Sequence, residues 1–182
     1  MKIRPSLTAL LLFLTTSLYC QGIVFSSGDF DFEVYGNDST EVRVKALDGT
    51  LKGDIVIPDS VSYKGRTYAV TQIYNMGNNP NVLSIRIPKT VRSFYNSLNS
   101  LSSLQNIYVD EASQSFMSID GVLISTYNMS LNQFPCGRTG DYSVPEGVKS
   151  INITFHSGIT KLTIPSTVQY VGLLIAFLSC SF

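Results

Sequence analysis

The chain of 182 residues contains no tryptophan, a single histidine (His156) and only 14% charged residues. Thirteen basic and thirteen acidic residues give a formal net charge of +0, so the sequence lacks the basic excess typical of nucleic acid-binding proteins. A Ser-His-Asp site would have to use His156, and no glycine-flanked nucleophile elbow surrounds it. We therefore expect a protein that is not an enzyme and does not bind nucleic acid.

Motifs for cofactors and metals are also missing. The sequence has no phosphate-binding loop and no dinucleotide fingerprint. Its three cysteines and one histidine lack the spacing of a zinc site, and the acidic residues near Asp31 and Asp120 do not form an EF-hand loop. Carboxylate pairs for glycoside chemistry have no support in the sequence. We expect no cofactor and no metal.

Residues 1–20 have the pattern of a signal peptide. Lys2 and Arg4 precede an apolar run from Leu7 to Leu18, which is shorter than the roughly 20 residues that span a bilayer. We predict cleavage after Cys20 and export of a mature chain without a membrane span. The alternatives are a lipid anchor on Cys20, which the bulky Tyr19 disfavours, and an uncleaved anchor.

The other two cysteines are Cys136, in a turn-like Phe-Pro-Cys-Gly segment, and Cys180, in an apolar terminal run. Exported proteins keep disulfides, but two cysteines do not make a disulfide framework. We interpret them as independent thiols, with a bond between them as the alternative.

A short phrase, apolar-x-apolar-Pro-x-x-Val, recurs along the chain. Four copies are complete, and a fifth, Ile107–Val109, has Asp110 where proline would stand. Three copies extend upstream to the L-x-x-L-x-L core of a leucine-rich repeat, for example Val82, Ile85 and Ile87. The four complete phrases are Ile55–Val61, Ile85–Val91, Tyr142–Val148 and Leu162–Val168.

The spacing of the phrase indicates a repeat with insertions. Its inward terminal residues lie at positions 57, 87, 109, 144 and 164, separated by 30, 22, 35 and 20 residues. The first long gap contains a hairpin pattern around Gly65, and the second contains an insertion around Asp120-Gly121 and residues 135–137. Without the insertions the period is about 20–22 residues, within the range of leucine-rich repeats.

This period predicts a β-rich solenoid with a parallel strand face. Side chains alternate along a strand, so Ile85 and Ile87 should point inward and Arg86 outward. A single strand cannot bury its apolar side, whereas stacked copies form a continuous core. Alternation in Phe30–Val34 and in Glu41–Val44 predicts a hairpin that caps the first coil. We divide the chain into residues 1–20 (signal peptide), 21–50 (hairpin cap) and 51–182 (about five repeats).

Residues 29–182 resemble the BspA-like leucine-rich repeat proteins, which are exported or surface proteins of Bacteroides-type bacteria. Three segments carry the resemblance: Gly53–Ile73, with an opening hairpin; Ser118–Pro145, with a long repeat variant; and Gly172–Cys180, with the phrase G-x-x-x-A-F-x-x-C. At the corresponding positions of two earlier repeats, around Asn75–Asn79 and in the repeat after it, other residues stand in place of this phrase. The resemblance implies a right-handed leucine-rich coil on the cell surface or secreted.

The resemblance also implies non-catalytic binding of host matrix proteins, other bacteria or glycans through the strand face. Arg86 and Tyr108, in adjacent coils, are the residue types that anchor interfaces. The alternative is a structural or truncated repeat protein with no ligand of its own, because the apolar end at Phe182 has no polar cap. The candidate ligand-binding residues are Ser84, Arg86, Asn106, Tyr108, Lys161 and Thr163.

Overall fold

A computed structural model describes residues 22–35, 40–95, 98–153 and 158–172, and the backbone of 179–181. These residues form seventeen strands and no helix, as the repeat pattern predicts. The strands are β1 Val24–Ser27, β2 Phe30–Val34, β3 Glu41–Lys45, β4 Lys52–Val56, β5 Ser60–Tyr63, β6 Arg66–Asn75, β7 Asn81–Ile87, β8 Ser93–Phe94, β9 Asn106–Val109, β10 Phe116–Ile119, β11 Val122–Ser125, β12 Ser130–Gln133, β13 Gly140–Ser143, β14 Ser150–Ile151, β15 Ile159–Thr163, β16 Tyr170–Val171 and β17 Ser179–Ser181.

Between residues 41 and 109 the chain alternates between two walls of parallel strands. One wall consists of β3, β6 and β8, and the other of β4, β7 and β9. Inward side chains from both walls, such as Val42, Ile73, Ile85 and Ile107, are fully buried in one apolar cluster. The predicted stacking of repeated strands around a shared core is therefore present in this segment.

The same alternation recurs nearer the C-terminus. Strands β12, β14 and β16 pair in one parallel ladder, and β13, β15 and β17 pair in another. Their inward side chains form a second apolar cluster, which includes Leu131, Val148, Ile151 and Leu162. The core is thus divided into two clusters.

The sequence predicts one parallel sheet along the strand face, and the structure contains two three-stranded sheets instead. Strands β10, β11 and β12 form an antiparallel insertion between them. The backbone N–H of Ile107 in β9 donates to the carbonyl of Gly121 (2.8 Å), in the turn between β10 and β11. Because the insertion occupies this edge of β9, β13 does not continue the ladder.

The antiparallel pairs that the alternation predicts are confirmed. Phe32 in β2 lies opposite Val44 in β3, and β1 extends this pair to a three-stranded meander. Strands β5 and β6 are joined by Lys64 and Gly65, both with positive φ, which is the conformation of a tight two-residue hairpin loop. Residues 36–39, which join β2 to β3, lie outside the described residues. The capping role of the β2–β3 hairpin stays a prediction.

Asn79 connects neighbouring coils through a fully buried side chain. Its amide oxygen accepts from the backbone N–H of Leu51 (2.7 Å), and its amide nitrogen donates to the carbonyls of Leu47 (2.9 Å) and Met76 (2.5 Å). Buried polar groups are stable only when hydrogen-bonded. Asn79 therefore stabilises the turn where the sequence departs from the A-F-x-x-C phrase.

Candidate binding face on the β4–β7–β9 sheet

The outward side chains of β4, β7 and β9 form two rows across the sheet. Asp54, Ser84 and Asn106 occupy one row, and Val56, Arg86 and Tyr108 occupy the other. We restrict the name strand face to these two rows on the β4–β7–β9 sheet. In each strand the flanking inward residue is an isoleucine that belongs to the core, so the face rests on a packed support.

Arg86 and Tyr108 form a contact between neighbouring strands. The guanidinium carbon of Arg86 lies 4.8 Å from the ring centroid of Tyr108, within the range of cation–π interactions. Parallel pairing places the two residues directly beside each other, at the spacing of adjacent strands. Among the described residues Arg86 makes no ion pair, so its N–H donors remain available to a ligand.

Two hollows flank this pair of side chains. The first, with a volume of about 360 Å³, lies at the carboxyl ends of the three strands and is bordered by Arg86, Tyr108, Asp59 and Asp110. The second, of about 310 Å³, lies over the row of Asp54, Ser84 and Asn106 and is again bordered by Arg86 and Tyr108. A ligand that occupied either hollow would contact both side chains.

The first hollow combines apolar and charged groups. Val56, Ile57 and Val109 contribute its apolar lining, while the exposed carboxylates of Asp59 and Asp110 lie near its rim. Asp110 accepts a hydrogen bond from the backbone N–H of Ala112 (2.9 Å), which orients its carboxylate. An apolar floor with a few polar groups is typical of a binding site.

The six predicted residues do not form one continuous column. Arg86, Tyr108, Ser84 and Asn106 lie together on the strand face, but Lys161 and Thr163 are exposed on β15 in the other parallel sheet. Lys161 and Thr163 lie apart from the other four residues because β13 does not pair with β9.

Two of the predicted residues are less accessible than expected. Ser84 is only 7% exposed, and its hydroxyl donates to the carboxylate of Asp54 (2.6 Å). Asn106 is half-buried and lies against Gly121, where an added Cβ would approach the Asn106 amide oxygen to 2.4 Å. These side chains line the second hollow, beside the exposed pair.

The residues at the strand ends were not among those predicted from the sequence. Asp59 and Asp110 border the first hollow, together with Pro58 and Pro88. Asp110 could have been noticed, because it replaces the proline of the repeated phrase and so puts a carboxylate at the end of a stacked strand. Asp59 does not depart from the repeated phrase in this way, so the sequence did not mark it.

Other candidate groups do not contribute to this face. Cys136 is a free, half-buried thiol whose Sγ donates to the carbonyl of Asn99 (3.4 Å), and burial raises its pKa to about 11. His156 and the side chain of Cys180 lie outside the described residues. In the described part of the chain, no cluster of histidine, cysteine and acidic side chains is arranged to hold a metal ion.

Comparison with known proteins gives weak structural likenesses. No protein-family model and no curated protein sequence matches the chain. The structure is similar to a leucine-rich repeat protein from Eubacterium ventriosum (TM-score 0.48, 20% identity), with 66% of this chain and 38% of that chain covered. It is also similar to one from Bacteroides ovatus (TM-score 0.46, 20% identity, 82% and 41% covered).

A third similar structure is a leucine-rich cell surface protein from Faecalibacterium prausnitzii, with a TM-score of 0.37, 12% identity, and 88% of this chain and 76% of that chain covered. The chain spans less than half the length of the first two proteins. Since all three TM-scores are below 0.5, the description of the fold rests on the strand pairing itself. Within the described residues, no helix is long and apolar enough to cross a membrane.

Proposed function

We propose that the chain is an exported, non-catalytic binding module of the BspA-like leucine-rich repeat type, and that its strand face docks a protein partner of the host extracellular matrix. The observation that supports this most strongly is the Arg86–Tyr108 pair, which lies between two hollows and leaves the guanidinium without an ion pair among the described residues. Arginine and tyrosine are enriched among the residues that dominate interface energetics.

The charges near the pair favour a protein partner with mixed charge. In the proposed complex, Asp59 and Asp110 beside the first hollow would accept hydrogen bonds from a cationic or amide group. Arg86 would bind a carboxylate through two parallel N–H donors. The exposed apolar side chains of Val56 and Leu83 add area that is buried on docking. This combination resembles the core and rim of a protein interface.

The test measures binding of the purified chain to immobilised extracellular matrix proteins, such as collagen and laminin, by surface plasmon resonance. The variant that combines Arg86→Ala and Tyr108→Ala should weaken binding at least about tenfold, because a buried interface anchor contributes about 2 kcal/mol or more. Tyr127→Ala is the matched control, since Tyr127 is 96% exposed and lies away from the face, between β11 and β12.

Two results would contradict the proposal. One is a wild-type chain that binds none of the matrix proteins; the other is a double variant that binds as tightly as the wild type. A further pair, Lys161→Ala and Thr163→Ala, tests whether the partner reaches the second parallel sheet. We expect these substitutions to change affinity by less than about twofold, because β15 belongs to a separate ladder.

A further inference from the structure

The wall formed by β3, β6 and β8 lies opposite the strand face and carries two outward aromatic side chains. Tyr74 in β6 and Tyr95, directly after β8, are 40% and 56% exposed. Their ring centroids lie 6.1 Å apart with an angle of 50° between the ring planes. Parallel pairing of Ile73 with Phe94 places the two tyrosines in corresponding positions on neighbouring strands. We call this pair the tyrosine platform.

Arg43 in β3 holds one end of the platform in place. Its guanidinium carbon lies 4.1 Å from the ring centroid of Tyr74, and its Nη2 donates to Glu33 in β2 (2.7 Å). The hydrogen bond to Glu33 and burial limit the freedom of Arg43, so it fixes the orientation of the Tyr74 ring. The guanidinium covers one face of the Tyr74 ring and holds it in place, so a ligand stacks on the other face at a lower entropic cost.

Hydrogen-bonding groups adjoin the rings on the same face. Gln72 and Ser93 each precede a platform tyrosine by two residues, so they share its side of the sheet. The Gln72 amide nitrogen donates to the Ser93 hydroxyl (3.0 Å). The wall thus combines two flat aromatic surfaces with an amide and a hydroxyl.

The charged and polar side chains next to the tyrosine platform disfavour two kinds of partner, a polyanion and a purely apolar surface. Glu33 lies between Arg43 and Lys45, with its carboxylate oxygens 2.7 and 4.0 Å from their nitrogens, so both cations already face a carboxylate. A phosphate backbone would meet that carboxylate. An apolar partner would bury Gln72 and Ser93 without new hydrogen bonds, which is unfavourable.

We propose that the tyrosine platform binds a neutral β-linked glycan chain that runs across strands β6 and β8. The C–H groups on the flat side of a pyranose ring carry partial positive charge and stack on the electron-rich face of an aromatic ring. The ring centroids of Tyr74 and Tyr95 lie 6.1 Å apart, so neighbouring sugars of one chain can contact both rings. The 50° angle between the rings fits a single twisted chain rather than a flat crystalline surface.

The test titrates the purified full chain with cellohexaose and with mannohexaose by calorimetry. The wild type should bind at least one of them saturably, and Tyr95→Ala should weaken that binding about tenfold because one stacking surface is lost. Tyr74→Ala should have a similar effect. Tyr95→Phe should stay within about twofold of the wild type, since it keeps the ring.

Controls separate this site from the strand face and from effects on folding. Tyr127→Ala, and the variant combining Arg86→Ala with Tyr108→Ala, should bind the hexaose like the wild type. Thermal unfolding checks each variant, and Tyr95→Ala is the safer substitution because Tyr95 is the more exposed of the two tyrosines.

Four results would overturn the proposal. They are the absence of saturable binding to both hexaoses, unchanged affinity in the two tyrosine-to-alanine variants, loss of binding in the strand-face variant alone, and tighter binding of an acidic oligogalacturonate. Failure of the matrix-protein experiment leaves this test unaffected, because the two faces lie on opposite walls.

Discussion

The guanidinium of Arg86 lies over the ring of Tyr108, with 4.8 Å between its carbon atom and the ring centroid. A second pair, Arg43 and Tyr74, repeats this relationship on the opposite wall at 4.1 Å. In both cases the arginine and the tyrosine come from neighbouring parallel strands that stand on one shared apolar cluster. Stacked parallel strands thus bring residues that are distant in sequence into ordered outward pairs.

The first prediction concerns the contrast between inward and outward residues of β9. Ile107 is fully buried, whereas its neighbour Tyr108 is 39% exposed. Ile107→Ala should lower the free energy of unfolding by about 2–5 kcal/mol, because it leaves a cavity in the core. Tyr108→Ala should cost less than about 1 kcal/mol. Urea denaturation of both variants checks this, and equal losses would contradict the described strand orientation.

The second prediction concerns Asn79, which makes three hydrogen bonds while fully buried. Asn79→Ala should lower the free energy of unfolding by about 2–4 kcal/mol, because the N–H of Leu51 and two carbonyls lose their partner. Asn78→Ala is the matched control, since Asn78 is exposed. If the two variants are equally stable in urea denaturation, Asn79 does not stabilise the turn between coils.

The third prediction concerns pH. The hydrogen bond from Arg43 is the largest influence on Glu33 and holds its pKa below the ordinary value of 4.5, against the opposite effect of burial. A carboxylate with a lowered pKa stabilises the folded state above its unfolded pKa, and this stabilisation is lost as the pH falls through the folded pKa.

Glu33→Gln should therefore destabilise the chain by less than about 1 kcal/mol at pH 7, a small value because the ion pair is partly exposed to solvent. The difference from the wild type should disappear as the pH falls below 4.5. Thermal unfolding between pH 3 and 7 measures it. Glu111→Gln serves as the control, and a difference that grows on acidification would refute the assigned role of Glu33.

The fourth prediction concerns Cys136. Burial raises its pKa to about 11, so the folded state disfavours the thiolate that reacts with alkylating reagents. At pH 9 iodoacetamide should modify Cys136 at least about tenfold more slowly in the folded chain than in the chain unfolded by guanidinium. Mass spectrometry of the peptide containing Cys136 reports its rate separately from those of the other cysteines. Equal rates in the two states would show that the thiol is not protected.

Local features of the fold were predictable because they depend on neighbours along the chain. Alternation within Ile85–Ile87 assigned Arg86 to the outside, and turn residues around Gly65 predicted the β5–β6 hairpin. The pairing of Arg86 with Tyr108 was also within reach, since the two occupy the same position in successive copies of the repeated phrase.

The location of Lys161 and Thr163 could not be predicted in this way. Their position within their own strand is local and is correctly outward. Their distance from Arg86 depends on which strand pairs with the edge of β9 that faces away from β7. At that edge the N–H of Ile107 donates to the carbonyl of Gly121 in the insertion, so β13 does not pair there. The length of the insertion was visible in the sequence, but its hydrogen bonds were not.

The sequence by itself determined the β-rich character of the described residues, the period of the repeated strands and the direction of their side chains, because these follow from local stereochemistry and from the need to bury alternate apolar residues. Only the tertiary structure decided that the strands of the repeated phrase are divided between the β4–β7–β9 and β13–β15–β17 sheets. It also decided the hollows beside Arg86 and the row formed by Arg43, Tyr74 and Tyr95. These depend on the register between strands, which bulges such as the one between Val42 and Arg43 shift. Register is a property of non-local hydrogen bonds.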